Sequence, residues 1–193
     1  MRNFSRVALF LIFALALTTI SVSAQMRGPR PSQKAVVEQF VNDNVTLRIS
    51  YGRPNAKGRQ LWGAETEALV PNGKVWRAGA NEATVFEVSN DVLINGKPLA
   101  AGKYSFYAIP TKDSWTLIFN KTWNQWGTNY AEKDDALRVM ATPGESPKYI
   151  ESMLYVFEDI KPNEATVILA WGNMRVPFTV SVPMVKTEPM EKQ

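Results

Sequence analysis

The chain has 193 residues, of which 45% are apolar, 11% aromatic and 21% charged, with no Cys and no His. That length can bury one substantial core: a domain of about 150 residues removes roughly 70% of its unfolded surface from water. Without Cys there are no disulfides, thiol nucleophiles, iron–sulfur clusters or acylated lipoprotein anchors; without His the Ser-His-Asp triads, Cys-His dyads and most zinc and copper sites fall away.

Arg2 and Arg6 precede the apolar run "VALFLIFALAL" at 7–17, and Val22 and Ala24 then form a small-x-small pattern. A membrane-crossing helix needs about 20 apolar residues and this run has about a dozen, so residues 1–24 read as a signal peptide cleaved after Ala24. Cleavage takes 24 residues from 193, Arg2 and Arg6 among them, leaving 169 residues with 20 basic groups against 18 acidic. So balanced a chain, with no basic cluster, does not suit nucleic acid. The expectation is an exported protein, periplasmic or extracellular, with no membrane span in the mature chain. The lack of Cys suits a bacterial setting where folding does not rely on disulfides.

Residues 25–33 are a polar Pro/Gly lead-in, and the domain is expected over 34–183. There, period-two runs recur between turn signals. "AVVEQFV" (35–41) and "VTLRISY" (45–51) flank Asn42-Asp43-Asn44, although Ser32 could cap a short helix over 33–40 instead. In the second run Val45, Leu47, Ile49 and Tyr51 share one face, and Thr46, Arg48 and Ser50 the other. "ATVFEVS" (83–89) is strand-like, and Asn95-Gly96 predicts a tight hairpin. "GKYSFYAIP" (102–110) and "SWTLIFNK" (114–121) form a further pair, with Trp115 expected in the core. Residues 122–135 read as a long loop with a possible helical turn. Of the three runs that follow, the last holds Trp171 as core, Gly172-Asn173 as a two-residue hairpin and Pro177 at an edge or bulge. Residues 184–193, with no core-forming content, read as a disordered tail. The whole predicts an all-β chain: a single antiparallel β-sandwich or jelly-roll-like domain of about ten short strands.

Residues 52–82 break the alternation, with five glycines and two prolines. Irregular stretches of this length tend to be functional or disordered. Leu61, Trp62, Leu69, Val70, Val75 and Trp76 are too apolar for disorder, which points to an ordered loop.

The blocks "YGRPNAKGRQLWG", "LVPNGKVWRAGANEAT", "AGKYSFYAIP", "WTLIFNK", "WG" with Tyr130, and "DDALRV" occur in that order. In this the chain resembles the uncharacterised bacterial family called domain of unknown function 2911, from about Val45 to Val180. The specific part is "KGR" with "WRAGANEAT"; Asn72 and Ala78 stand where that pattern has an aromatic and a Thr. The resemblance implies an exported β-rich protein and supplies no activity and no site residue.

From the residues themselves, Arg53, Arg59 and Arg77 offer planar forks for carboxylates or phosphates. Trp62, Trp76 and Trp126 offer flat faces, and Asn81 and Glu82 paired polar groups. The leading expectation is a non-catalytic domain binding a small polar or carbohydrate-like ligand at the 52–82 loop through Arg53, Arg59, Trp62, Trp76, Arg77, Asn81 and Glu82. The same side chains could instead brace the loop, with Arg77 on Glu82 and Trp62. A second reading is a glycan hydrolase using Glu82 with Asp134 or Asp135, since glycosidases set two carboxylates about 5–10 Å apart. A third is a structural or protein-interaction module of the cell envelope. No S-x-x-K, calcium-loop, phosphate-loop or dinucleotide motif occurs in the mature chain, so neither metal nor cofactor is expected.

Overall fold

Alternation translates directly into burial along residues 45–53, where Val45, Leu47, Ile49 and Tyr51 are buried and Thr46, Arg48 and Ser50 only partly so. A computed structural model describes residues 29–64 and 67–183. The segment read as a signal peptide and the tail at 184–193 lie outside the described residues. Among the described residues, no helix is long and apolar enough to cross a membrane.

The elements in chain order are β1 (Gln33–Val41), β2 (Val45–Arg53), β3 (Trp62–Gly63), β4 (Val70–Pro71), β5 (Thr84–Val88), β6 (Val92–Ile94) and β7 (Lys97–Leu99). They continue with β8 (Gly102–Pro110), β9 (Trp115–Asn120), a 3-10 turn (Glu132–Asp134), β10 (Asp135–Ala141), β11 (Gly144–Lys161) and β12 (Glu164–Ser181). One antiparallel sheet has the order β1-β2-β5-β8-β9-β10, and a second β11-β12-β6-β7. The two-residue strands β3 and β4 pair in parallel inside the 52–82 loop. The two larger sheets share one core: Leu47, Ile49, Phe86, Phe106 and Phe119 from the first meet Met153, Tyr155, Leu169 and Phe178 from the second. Phe106 stacks on Phe178 with centroids 5.6 Å apart. The chain is therefore an antiparallel β-sandwich, as its alternation predicts.

Two local expectations change. The possible helix over 33–40 is a strand, because β1 pairs with β2 along its whole length, from Gln33 opposite Arg53 to Val41 opposite Val45. The Gly172-Asn173 hairpin does not form; β12 runs through it unbroken. Gly172 has φ +60°, and a Cβ there would lie 2.7 Å from Leu61 Cδ1. That glycine takes a left-handed conformation inside the strand, where the 52–82 loop comes against it. The strands are accordingly fewer turns and longer runs at the C-terminal end, with β11 and β12 at 18 residues each. Pro177 falls between the pairing of Arg175 with Gly144 and that of Val180 with Ile94, where a missing N–H costs no ladder bond.

Asn95 and Gly96 both take positive φ at the β6–β7 turn, as the sequence signal requires. β8 and β9 are buried on both faces. Their inner face meets the sandwich core. Their outer face carries a second small cluster in which Tyr107, Ile118 and Ala83 pack with Tyr130, so the 122–135 loop lies across it.

Candidate functional site

The strand order lines up outward positions of four neighbouring strands. Glu38 stands opposite Arg48, Arg48 opposite Glu87, and Glu87 opposite Lys103, a row of alternating sign across β1, β2, β5 and β8. Arg48 Nη1 donates to Glu38 Oε2 at 2.8 Å, and Lys103 Nζ lies 3.2 Å from Glu87 Oε1. Half-exposed cross-strand pairs of this kind contribute only about 0.2–1 kcal/mol each. Their main effect is to hold charged heads in fixed positions on an open sheet face. At the end of the row Lys103 Nζ sits 5.3 Å from the centroid of Trp123.

Residues 122–127 form a wall beside this floor, and their backbone is pinned from several directions. Ser105 Oγ donates to the Thr122 carbonyl at 2.9 Å, and Ala83 N donates to the Gln125 carbonyl at 3.1 Å. Gln125 Nε2 donates to Tyr107 Oη at 3.1 Å, and burial raises the Tyr107 phenol above its ordinary pKa, against the opposing pull of its Ser105 and Gln125 hydrogen bonds. Glu82 pairs with Trp126 in an isolated bridge, and Gly127 N donates to the Asn81 carbonyl at 3.1 Å. A Cβ on Gly127 would fall 2.3 Å from Arg77 Cδ and 2.7 Å from the Asn81 oxygen, so only glycine permits this approach of the two loops.

Floor and wall enclose a cleft of about 480 Å³. Lys34, Arg48, Ser50, Glu87 and Lys103 line its base, while Glu82, Trp123, Gln125 and Trp126 line its side. Trp123 is 41% exposed and Trp126 50% exposed, which leaves indole surface open to a guest. Chemically, the cleft offers flat apolar faces beside fixed donors and acceptors of both signs.

The seven residues expected from the sequence divide among several places. Glu82 lines the cleft. Asn81, at φ +67°, donates from Nδ2 to the Ser32 carbonyl at 3.2 Å, and Arg77 Nη1 donates to the Asn81 carbonyl at 3.3 Å. Arg77 and Trp76 line a separate, smaller hollow of about 370 Å³ with Leu69, Val75 and Tyr130. Arg59 turns back on its own loop, donating to the Ala56 and Asn55 carbonyls at 3.0 and 2.6 Å. Arg53 donates from Nε to the Met153 carbonyl at 3.0 Å, at the β2–β11 side.

Trp62 and Trp76 belong to an indole cluster with Trp115 and Trp171. Trp62 meets the other three at centroid distances of 5.1–5.8 Å, all edge-on, and Trp76 stacks on Trp171 at 6.1 Å. Trp62 Nε1 donates to the Trp171 carbonyl at 3.3 Å. Thus the described residues of the 52–82 loop pack on the sandwich, and two of the loop's aromatic side chains are spent on that packing.

Asp134 and Asp135 do not line the cleft that Glu82 lines. The Asp135 carboxylate accepts from Asn120 Nδ2 at 2.8 Å, Tyr130 Oη at 2.8 Å and Arg138 Nε at 2.7 Å. Burial, followed by the hydrogen bond to Asp135, pushes the Tyr130 phenol up to about 12. Asp134 accepts from Thr122 Oγ1 at 3.3 Å. These contacts anchor the far end of the loop that carries Trp123 and Trp126. Among the described residues, no group of three or more acidic side chains is placed to hold a metal ion.

The family model "Protein of unknown function (DUF2911)" matches residues 32–180. The chain belongs to this family. The match covers the sandwich from β1 to the penultimate residue of β12 and takes in every residue of the cleft named above. Neither the curated proteins nor the solved structures contain a match to the chain. Alternation in the sequence puts Arg48 on the face opposite Val45 and Leu47, but does not mark it, or Glu87, Lys103 and Trp123, as site residues. The available signal was alternation, which gives the face of each residue; the strand order that makes the four charges neighbours is not written in any one segment.

Proposed function

We propose that this family member is an exported, non-catalytic binding domain that holds a small polar, carbohydrate-like ligand in the cleft on the outer face of the six-stranded sheet. The observation that carries the reading is the pairing of two half-exposed indoles, Trp123 and Trp126, with fixed polar groups at Glu82, Gln125, Arg48 and Glu87. Indole faces suit the C–H surface of a sugar ring, and the polar groups suit its hydroxyls. The lining charges nearly cancel, with Lys34, Arg48 and Lys103 against Glu82 and Glu87. That balance favours a neutral or zwitterionic guest over a polyanion. Export rests on the charged start, short apolar run and small-x-small site at 1–24.

Thermal denaturation against a panel of neutral and acidic oligosaccharides tests the reading. A ligand at 100 times its dissociation constant raises stability by about 2.7 kcal/mol. Trp126→Ala should weaken binding at least about tenfold, or ~1.4 kcal/mol. Absence of any shift across the panel would transfer the case to a protein-interaction module. Turnover of a bound glycan that disappears in Glu82→Gln would instead favour the hydrolase.

A further inference from the structure

A strand with one solvated face should alternate, yet β12 reads "ATVILAW" over 165–171. Val167, Leu169 and Trp171 enter the sandwich core. Ile168 and Ala170 therefore face the opposite way, and both are buried. Opposite them in register on β11 stand Val156 and Leu154. These four aliphatic side chains line a crevice of about 480 Å³ where β11 meets β1, together with Ala35 and Val37 of β1 and Tyr51 of β2.

The rim of that crevice is cationic. Arg53, Lys148 and Arg175 line it against one carboxylate, Glu158. Arg175 is matched to Glu158 through an ion pair. Arg53 donates through Nε to the Met153 carbonyl, leaving its terminal nitrogens, like the Lys148 ammonium, with no ion-pair partner among the described residues. An apolar floor with two uncommitted cations at its lip complements an aliphatic tail ending in an anion.

We propose that this crevice is a second binding site, for a free single-chain carboxylate amphiphile, with the chain against the half-buried Leu154, Val156, Ala35 and Val37, backed by Ile168 and Ala170, and the carboxylate between Arg53 and Lys148. Leu154, Val156, Ile168 and Ala170 belong to the four-stranded sheet, whereas the indole-lined cleft lies on the six-stranded one, and the proposal does not depend on the reading of that cleft.

Isothermal titration with monomeric octanoate, nonanoate and decanoate tests it. Saturable one-to-one binding should strengthen about fourfold with each added methylene. The uncharged 1-decanol should bind at least about tenfold more weakly than decanoate, as should decanoate to an Arg53→Glu/Lys148→Glu variant, in which both changes fall on exposed side chains. Trp126→Ala should leave decanoate binding unchanged. The proposal is overturned by absence of saturable binding, by equal affinity for 1-decanol, or by indifference to charge reversal. Association with phosphatidylglycerol vesicles without binding of monomeric decanoate would also overturn it, in favour of a membrane surface. The chain-length and headgroup comparisons use the unaltered protein, so they stand whether or not the variant folds.

Discussion

All six tryptophans of this chain sit in one of two settings, and the contrast separates packing from recognition. Trp62, Trp76, Trp115 and Trp171 turn their rings on one another where the 52–82 loop meets the sandwich. Trp123 and Trp126 stand at the edge of a charged sheet face, 41% and 50% exposed. An indole in the first setting has its surface satisfied by neighbours; one in the second still has surface to offer. Residue type alone therefore says little about a ligand face. What decides is whether the segment carrying the ring lies over a core or beside it.

The largest expected effect follows from the packed cluster. Trp171→Ala should destabilise the fold by about 3–5 kcal/mol, while Trp126→Ala should change it by no more than about 0.5 kcal/mol, both read from chemical denaturation. Similar losses at the two positions would dissolve the distinction. A finer test lies within the cluster. Trp171 Nε1 donates to the Glu151 carbonyl at 3.2 Å, whereas Trp115 Nε1 is buried with no partner among the described residues. Trp171→Phe should therefore cost more than Trp115→Phe, by about 0.5–1.5 kcal/mol.

A third test concerns the anchor of the cleft wall. The Tyr130 phenol has an ordinary value of 10.0 and is raised to about 12 in the fold. An acid whose folded pKa is raised holds its proton longer when folded than when unfolded. Its contribution is thus fully present below pH 10 and declines as pH climbs from 10 toward 12. Ultraviolet titration should show one phenol ionising near 12 that vanishes in Tyr130→Phe. A phenol titrating near 10.0 would mean that the Tyr130–Asp135–Arg138 contacts do not hold the loop.

Much of this fold is legible in period two. Val45, Leu47, Ile49 and Tyr51 give the inner face of β2, and Asn95-Gly96 gives the β6–β7 turn, because both depend only on neighbours in the chain. Gly172-Asn173 misleads for the same reason: a glycine that makes a turn and one that makes room for a pressing loop look alike locally, and Leu61 lies far away in sequence. The candidate site was harder still. Glu82 was visible as a polar group in an irregular segment, but Arg48, Glu87 and Lys103 become a site only through the order β1-β2-β5-β8. Trp62 and Trp76 looked available because nothing local shows that Trp115 and Trp171 lie beneath them.

The central claim is that a guest meets the two open indoles and not the four packed ones. Six indole N–H resonances, assigned and followed while the oligosaccharide panel is titrated in, test it directly. The account predicts saturable shifts at Trp123 and Trp126, with Trp62, Trp76, Trp115 and Trp171 unmoved. Shifts at Trp62 and Trp76 with Trp123 and Trp126 unchanged would contradict it.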